Sequence, residues 1–161
     1  MRRIVLLVAT IAVLTGSAAQ IVRANEHEDP QLKRQPTPAA VVKEHLDALN
    51  HCDVNRLMAQ YPDSVHLFLP GGSAPNVVIG RTAVRALFEG FCKPHAQGGL
   101  NGIKFTSQVV QQVGDTINVQ WVANAPFLAE PYYGADAYVT KHGLMYAQVT
   151  TFGAPPLKFK P

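Results

Sequence analysis

The chain has few of the residues from which metal, redox and nucleic-acid sites are built. Only two of its 161 residues are cysteine, Cys52 and Cys92. They form no Cys-x-x-Cys pair, which excludes a zinc or thioredoxin-type motif. The six histidines (27, 45, 51, 66, 95 and 142) show neither His-x-x-x-His spacing nor a carboxylate triad, so no metal is expected. No cofactor is expected either. Gly71-Gly72 and Gly98-Gly99 lack the strand–turn–helix setting of a phosphate loop, and no serine sits in a Gly-x-Ser-x-Gly elbow. Charged residues are only 16% of the chain, against 47% hydrophobic, which is globular composition rather than coiled coil or disorder. The net charge of +3 suggests a basic surface, but Arg2, Arg3 and Arg23 lie in a removable leader. Subtracting them leaves 11 Lys and Arg against 11 Asp and Glu. No nucleic-acid partner is expected from a neutral domain.

What is present begins with that leader. Arg2 and Arg3 precede an apolar run, Ile4 to Leu14, and small residues follow at Ser17-Ala18-Ala19 and again at Ala24. This is the order of a signal peptide over residues 1–24, with cleavage after Ala19 or Ala24. The run is about half the length a membrane-crossing helix needs, so no stable membrane anchor is expected. The expected destination is the periplasm or the medium. Such a compartment permits one disulfide between Cys52 and Cys92, although two separate small apolar residues would read the same way.

Residues 25–38 are polar, carry Pro30, Pro36 and Pro38, and read as a flexible lead-in. From Ala39 the period becomes helical. Val41, Val42, His45, Leu46, Ala48, Leu49 and Cys52 share one face, with His45 near the middle of the apolar stripe. Asp53 can cap a short second helix that ends at Pro62. Val65–Leu69 reads as a strand, Pro70-Gly71-Gly72-Ser73 as a turn, and Val77–Ile79 as a short strand. Gly80 opens a third helix with Ala83, Val84, Leu87, Phe88 and Phe91 on one face. Strands follow at 103–113, 116–125, 135–141 and 144–152, with a loop over 126–134 and a patternless tail from 153 to 161. Helices placed before a meander predict an α+β domain over 39–152, a cone-shaped curled antiparallel sheet wrapped around three N-terminal helices. Such a cone leaves a concave cavity, where pockets are favoured.

The run Val41-Val42, Ala48-Leu49-Asn50, Asp53-Val54, Tyr61-Pro62-Asp63, Pro70-Gly71-Gly72, Ile79-Gly80-Arg81 and Ala83-Val84-Arg85 resembles SnoaL-like polyketide cyclases and ketosteroid isomerase-like proteins. The turn Val113-Gly114-Asp115-Thr116, followed by Val119-Gln120-Trp121, is similar to that family's central hairpin. The resemblance covers about 38–152 and implies the nuclear transport factor 2-like fold, which usually dimerises through its sheet, so a homodimer is expected. It also implies site positions. His45 stands where the isomerases place an oxyanion-binding Tyr, and Asp136 where they keep a neutral Asp. Leu69-Pro70 stands where their catalytic base, an Asp, precedes a Pro. Leucine cannot take a proton.

His45 can donate a hydrogen bond or move a proton, or it can be a core histidine bonded to backbone or water. Asp136 can serve the pocket or satisfy turn amides. Tyr61, His66, Trp121 and Tyr138 are the expected pocket wall. Three functions follow. The chain binds a small, partly apolar molecule; or it is an acid/base enzyme of isomerase, dehydratase or epoxide hydrolase type using His45 and Asp136; or it is a structural dimerisation module. The missing base at Leu69 favours the first.

Overall fold

A computed structural model describes residues 29–70, 76–153 and 156–161. The proposed signal peptide, the first four residues of the lead-in and most of the Pro70–Ser73 turn lie outside them. Helix α1 (Pro38–Asn50) starts where the Thr37 side chain accepts from the Ala40 N–H at 3.1 Å, with Pro38 at the first helical position. Its buried stripe is Val41, Val42, His45, Ala48 and Leu49. Asp53 caps the short α2 (Val54–Met58) by accepting from the Arg56 N–H. The Arg56 guanidinium then reaches back to Glu44 at 2.8–2.9 Å and to Asp47 at 2.6 Å, fastening α2 across α1. Helix α3 (Arg81–Phe91) buries Val84, Arg85 and Phe88. A disulfide joins Cys52, just past the end of α1, to Cys92, at the end of α3, with Cα atoms 5.5 Å apart.

Strands β1 (His66–Leu69), β2 (Asn76–Ile79), β3 (Lys104–Val113), β4 (Thr116–Asn124), β5 (Tyr132–Lys141) and β6 (Leu144–Phe152) form one sheet in the order β2-β1-β6-β5-β4-β3. Pairing is antiparallel except where β1 lies parallel to β6, because the chain passes α3, β3, β4 and β5 before β6 returns beside β1. The inner face carries Leu67, Ile117, Val119, Trp121 and Tyr138, which pack on the helices in one core. The fold is the expected α+β cone.

Three segments depart from expectation. Residues 29–37 were expected to be flexible, yet they are tied down. Arg85 Nε donates to Asp29 at 2.7 Å, the Lys33 N–H to Ala59 O at 2.7 Å and the Gln35 N–H to Gly143 O at 2.9 Å. Composition reads the lack of a hydrophobic period but not such backbone pairing. Strand β5 begins at Tyr132 rather than Ala135, because Gly134 is a paired strand residue and not a loop punctuator. The tail is also anchored. Phe159 bridges to Leu128, and the His95 ring stacks on Phe127 and Phe159 with centroids 4.3 and 4.9 Å away.

Candidate functional site

Cross-strand register assembles the polar part of the site. Trp121 pairs with Gly134 and Gly134 with Phe152; Val119 pairs with Asp136 and Asp136 with Thr150; Ile117 pairs with Tyr138 and Tyr138 with Gln148. Directly opposed residues share a face, so Asp136, Thr150 and Gln148 all point toward the helices. Gly134 is indispensable to this arrangement. A Cβ there would run into the Trp121 ring atoms Cζ2 and Cη2, so only glycine lets the indole lie across β5 toward Asp136.

The Asp136 carboxylate collects four donors. Trp121 Nε1 donates to Oδ2 at 2.8 Å and the Tyr138 hydroxyl to the same oxygen at 2.9 Å. Thr150 Oγ1 donates to Oδ1 at 2.5 Å and Gln148 Nε2 to Oδ1 at 3.4 Å. An ionised carboxylate is acceptor-only with about four lone-pair positions, so this shell fills it. Burial nevertheless outweighs the four bonds and holds the Asp136 pKa above the ordinary carboxylate value.

Above this network lies a cavity of about 180 Å³. Its walls come from Leu46 and Leu49 of α1, Leu87, Phe88 and Phe91 of α3, and Leu67 and Leu69 of β1. Leu100, Phe105 and Phe152 complete the apolar lining, and Trp121, Asp136, Gln148 and Thr150 form its polar end. Asp136 is the one titratable group among the described residues that line it.

The expected site residues separate into three groups. Asp136 and Trp121 line the cavity. His45, Tyr61 and Tyr138 sit behind its floor with no exposed surface, so the expected direct role of His45 and the expected lining roles of the two tyrosines are not what the geometry provides. His45 Nδ1 meets the Tyr61 hydroxyl at 3.1 Å, its ring lies 5.4 Å from the Tyr138 ring, and its Nε2 has no partner among the described residues. Burial alone pushes the His45 pKa down to about 3, so the ring is neutral, and it pushes both tyrosine pKa values well up. His66 is a correction. Leu67 takes the inward position on β1, and alternation turns His66 to the exposed outer face beside Phe68. Sequence reasoning missed Gln148 and Thr150. The available signal was their i, i+2 spacing on the strand opposite Asp136, but the exposed Val149 between them makes the wrong face look like the buried one.

Among the described residues no cluster of three or more His, Cys, Asp or Glu could hold a metal, and no helix is long and apolar enough to cross a membrane.

A family model, the SnoaL-like domain, matches residues 42–149. No curated protein matches the chain. Among solved structures the chain is similar to an NTF2-like protein of unknown function from Cytophaga hutchinsonii, at 15% identity and a TM-score of 0.57, covering 76% of this chain and 95% of that one. It is also similar to a ketosteroid isomerase-like protein from Kribbella flavida (17% identity, TM-score 0.59, 74% and 82% covered). A third likeness is to TerC co-crystallized with polyporic acid (11% identity, TM-score 0.60, 72% and 91% covered). Identities this low carry the fold and nothing finer.

Proposed function

The chain belongs to the SnoaL-like domain family, and we propose that it binds a small, partly apolar molecule in the cavity between its helices and its sheet. The observation that carries this reading is the contrast within one cavity: ten leucine and phenylalanine side chains surround a single buried carboxylate network. Apolar walls with a few placed polar groups are what small-molecule sites are made of. The volume also sets a scale, since a cavity of ~150 Å³ lined by Leu, Ile and Phe is enough for benzene. A single ring fits inside, and a larger ligand would extend past the half-exposed Phe152. That TerC, a neighbour in fold, was co-crystallized with polyporic acid is consistent with a ligand-holding cone.

Acid/base turnover receives less support. Proton transfer at a ligand needs groups within hydrogen-bond reach. His45 is sealed below the floor, Leu69 carries no proton, and all four acceptor positions of Asp136 are in use.

The test uses Trp121, the single tryptophan of the chain, as a reporter in the cavity wall. Saturable quenching of its fluorescence by single-ring aromatics, lost in Leu49→Phe, supports the reading. Asp136→Asn presents an NH2 to a shell of donors, and should weaken the same ligands by roughly tenfold. No saturable change across such a panel overturns the reading.

Two further proposals complete this reading. The protein is exported by residues 1–24, which the intact mass of the exported form tests: a chain still beginning at Met1 rejects it. It also pairs with a second copy through the outer face of the sheet, where Val77, Phe68 and Val149 form one row across β2, β1 and β6 and are each about 40% exposed.

A further inference from the structure

We propose that the Cys52–Cys92 disulfide is a thiol–disulfide exchange site that controls the width of the cavity, so that reduction by a dithiol releases the ligand. The inference rests on the cavity being the ligand site. Its first support is placement. Leu46 and Leu49, one wall of the cavity, lie within two turns of Cys52, while Leu87, Phe88 and Phe91, the opposite wall, immediately precede Cys92. The bridge therefore ties together the ends of the two helices between which the cavity opens.

The second support is how α3 is held elsewhere. Its N-terminal half is fixed to α2 and the lead-in. Arg81 donates to Met58 O at 3.0 Å and Arg85 to Asn55 Oδ1 at 3.2 Å and Asp29 at 2.7 Å. The half that carries Leu87 and Phe91 has no such ion pairs to α1 among the described residues, and the bridge is its covalent tie. Loss of the bridge leaves the C-terminal end of α3 held to the sheet side by Phe91 stacked on Phe105 and by the Leu100 N–H bond to Phe91 O, with no covalent tie to α1.

The third support is access. Cys52 is half-buried and lines an open surface groove with His51, Asp53, Asn55, Arg85 and Glu89, which is where a small dithiol would approach the bridge.

The chemistry balances with one dithiol. A thiolate of the dithiol attacks one sulfur, the Cys52–Cys92 bond breaks, and a mixed disulfide forms. The second thiol of the reagent then displaces the protein sulfur. The bridge has gained two electrons and two protons as two thiols, and the reagent leaves as a cyclic disulfide.

The experiment titrates toluene into the oxidised protein, the dithiothreitol-reduced protein and the Cys52→Ser/Cys92→Ser variant, following Trp121 fluorescence, with a thermal melt of each. The inference predicts that all three melt cooperatively, and that toluene binds the reduced and variant forms at least about tenfold more weakly. By linkage, saturating toluene should shift the dithiothreitol concentration for half-reduction upward, by the factor that reduction weakens binding. Equal toluene affinity in the oxidised and reduced forms overturns the inference and leaves the cavity reading intact. Loss of a cooperative melt on reduction also overturns it, because the bridge is then a structural staple. Failure of toluene to bind even the oxidised protein overturns both.

Discussion

Asp136 and His45 both lie beside Tyr138 in the core, and burial acts on them in opposite senses. A neutral imidazole is favoured at His45, and the neutral acid is favoured at Asp136 relative to water. The stability consequences have opposite signs. With a folded pKa of about 3 against an ordinary 6.5, His45 binds fewer protons folded than unfolded between those values. Its contribution is fully present above pH 6.5 and is lost as pH falls toward 3, up to about 5 kcal/mol in all. Asp136, raised from 3.8, contributes in reverse, and stability declines as pH rises from 3.8 through its folded pKa. Substituting one residue separates them. His45→Gln keeps a hydrogen-bonding partner for Tyr61 and does not titrate. Urea unfolding should therefore show the wild type losing stability relative to His45→Gln between pH 7 and pH 4. Parallel pH profiles for the two proteins would refute a buried neutral His45. His45→Ala at pH 7 should cost about 2–4 kcal/mol from the lost bond and the space left behind. At this scale the sequence was half legible. Helical period places His45 on the buried stripe, yet period gives a direction and not a depth, so it cannot tell the floor of a cavity from the layer beneath it.

Among the elements, β5 and β6 make the site, and the register between them does more than their composition. Gly134 shows why. A glycine in a strand usually weakens it, yet here its missing Cβ is the space the Trp121 indole occupies on its way to Asp136. Gly134→Ala should push the indole off the carboxylate. The expected result is a loss of roughly 2–3 kcal/mol, one charge-assisted bond plus the overpacking, with a red-shifted Trp121 emission as the ring meets water. Unchanged stability and emission would mean that the indole has another seat. Element order was legible almost throughout, because amphipathic period and turn residues mark α1 to α3 and the hairpins. Both His142 (φ 52°) and Gly143 (φ 75°) take the positive φ that a two-residue hairpin turn requires. Two things were not legible. Gly134 looks like a loop residue because a turn and a close approach both select glycine. The lead-in looks unstructured because its hold is backbone bonding to Ala59 and Gly143 rather than apolar burial.

For the whole molecule, the cone has a closed side and an open one. The inner face of the sheet is covered by helices, while the outer face leaves Val77, Phe68, Val149, Val139 and Tyr133 partly or largely exposed. Sedimentation at micromolar concentration should give a dimer, and Val149→Lys, placed in the middle of that face, should give a monomer with the same cavity. A wild-type monomer at that concentration would contradict pairing through the sheet. The cavity itself was foreseeable only as a consequence of the cone. Its lining draws on α1, α3, β1, β3, β4, β5 and β6, and no local pattern reports a surface shared by seven elements. The central claim is that this cavity, with Asp136 at its polar end, is where the molecule meets its ligand. The most direct measurement is a crystal structure of the oxidised protein soaked with a single-ring phenol. The account predicts the ring between Leu49, Leu87 and Phe88 with its hydroxyl toward the Asp136, Gln148 and Thr150 end. Phenol found only elsewhere on the surface, or a cavity that stays empty at saturating phenol, would contradict it.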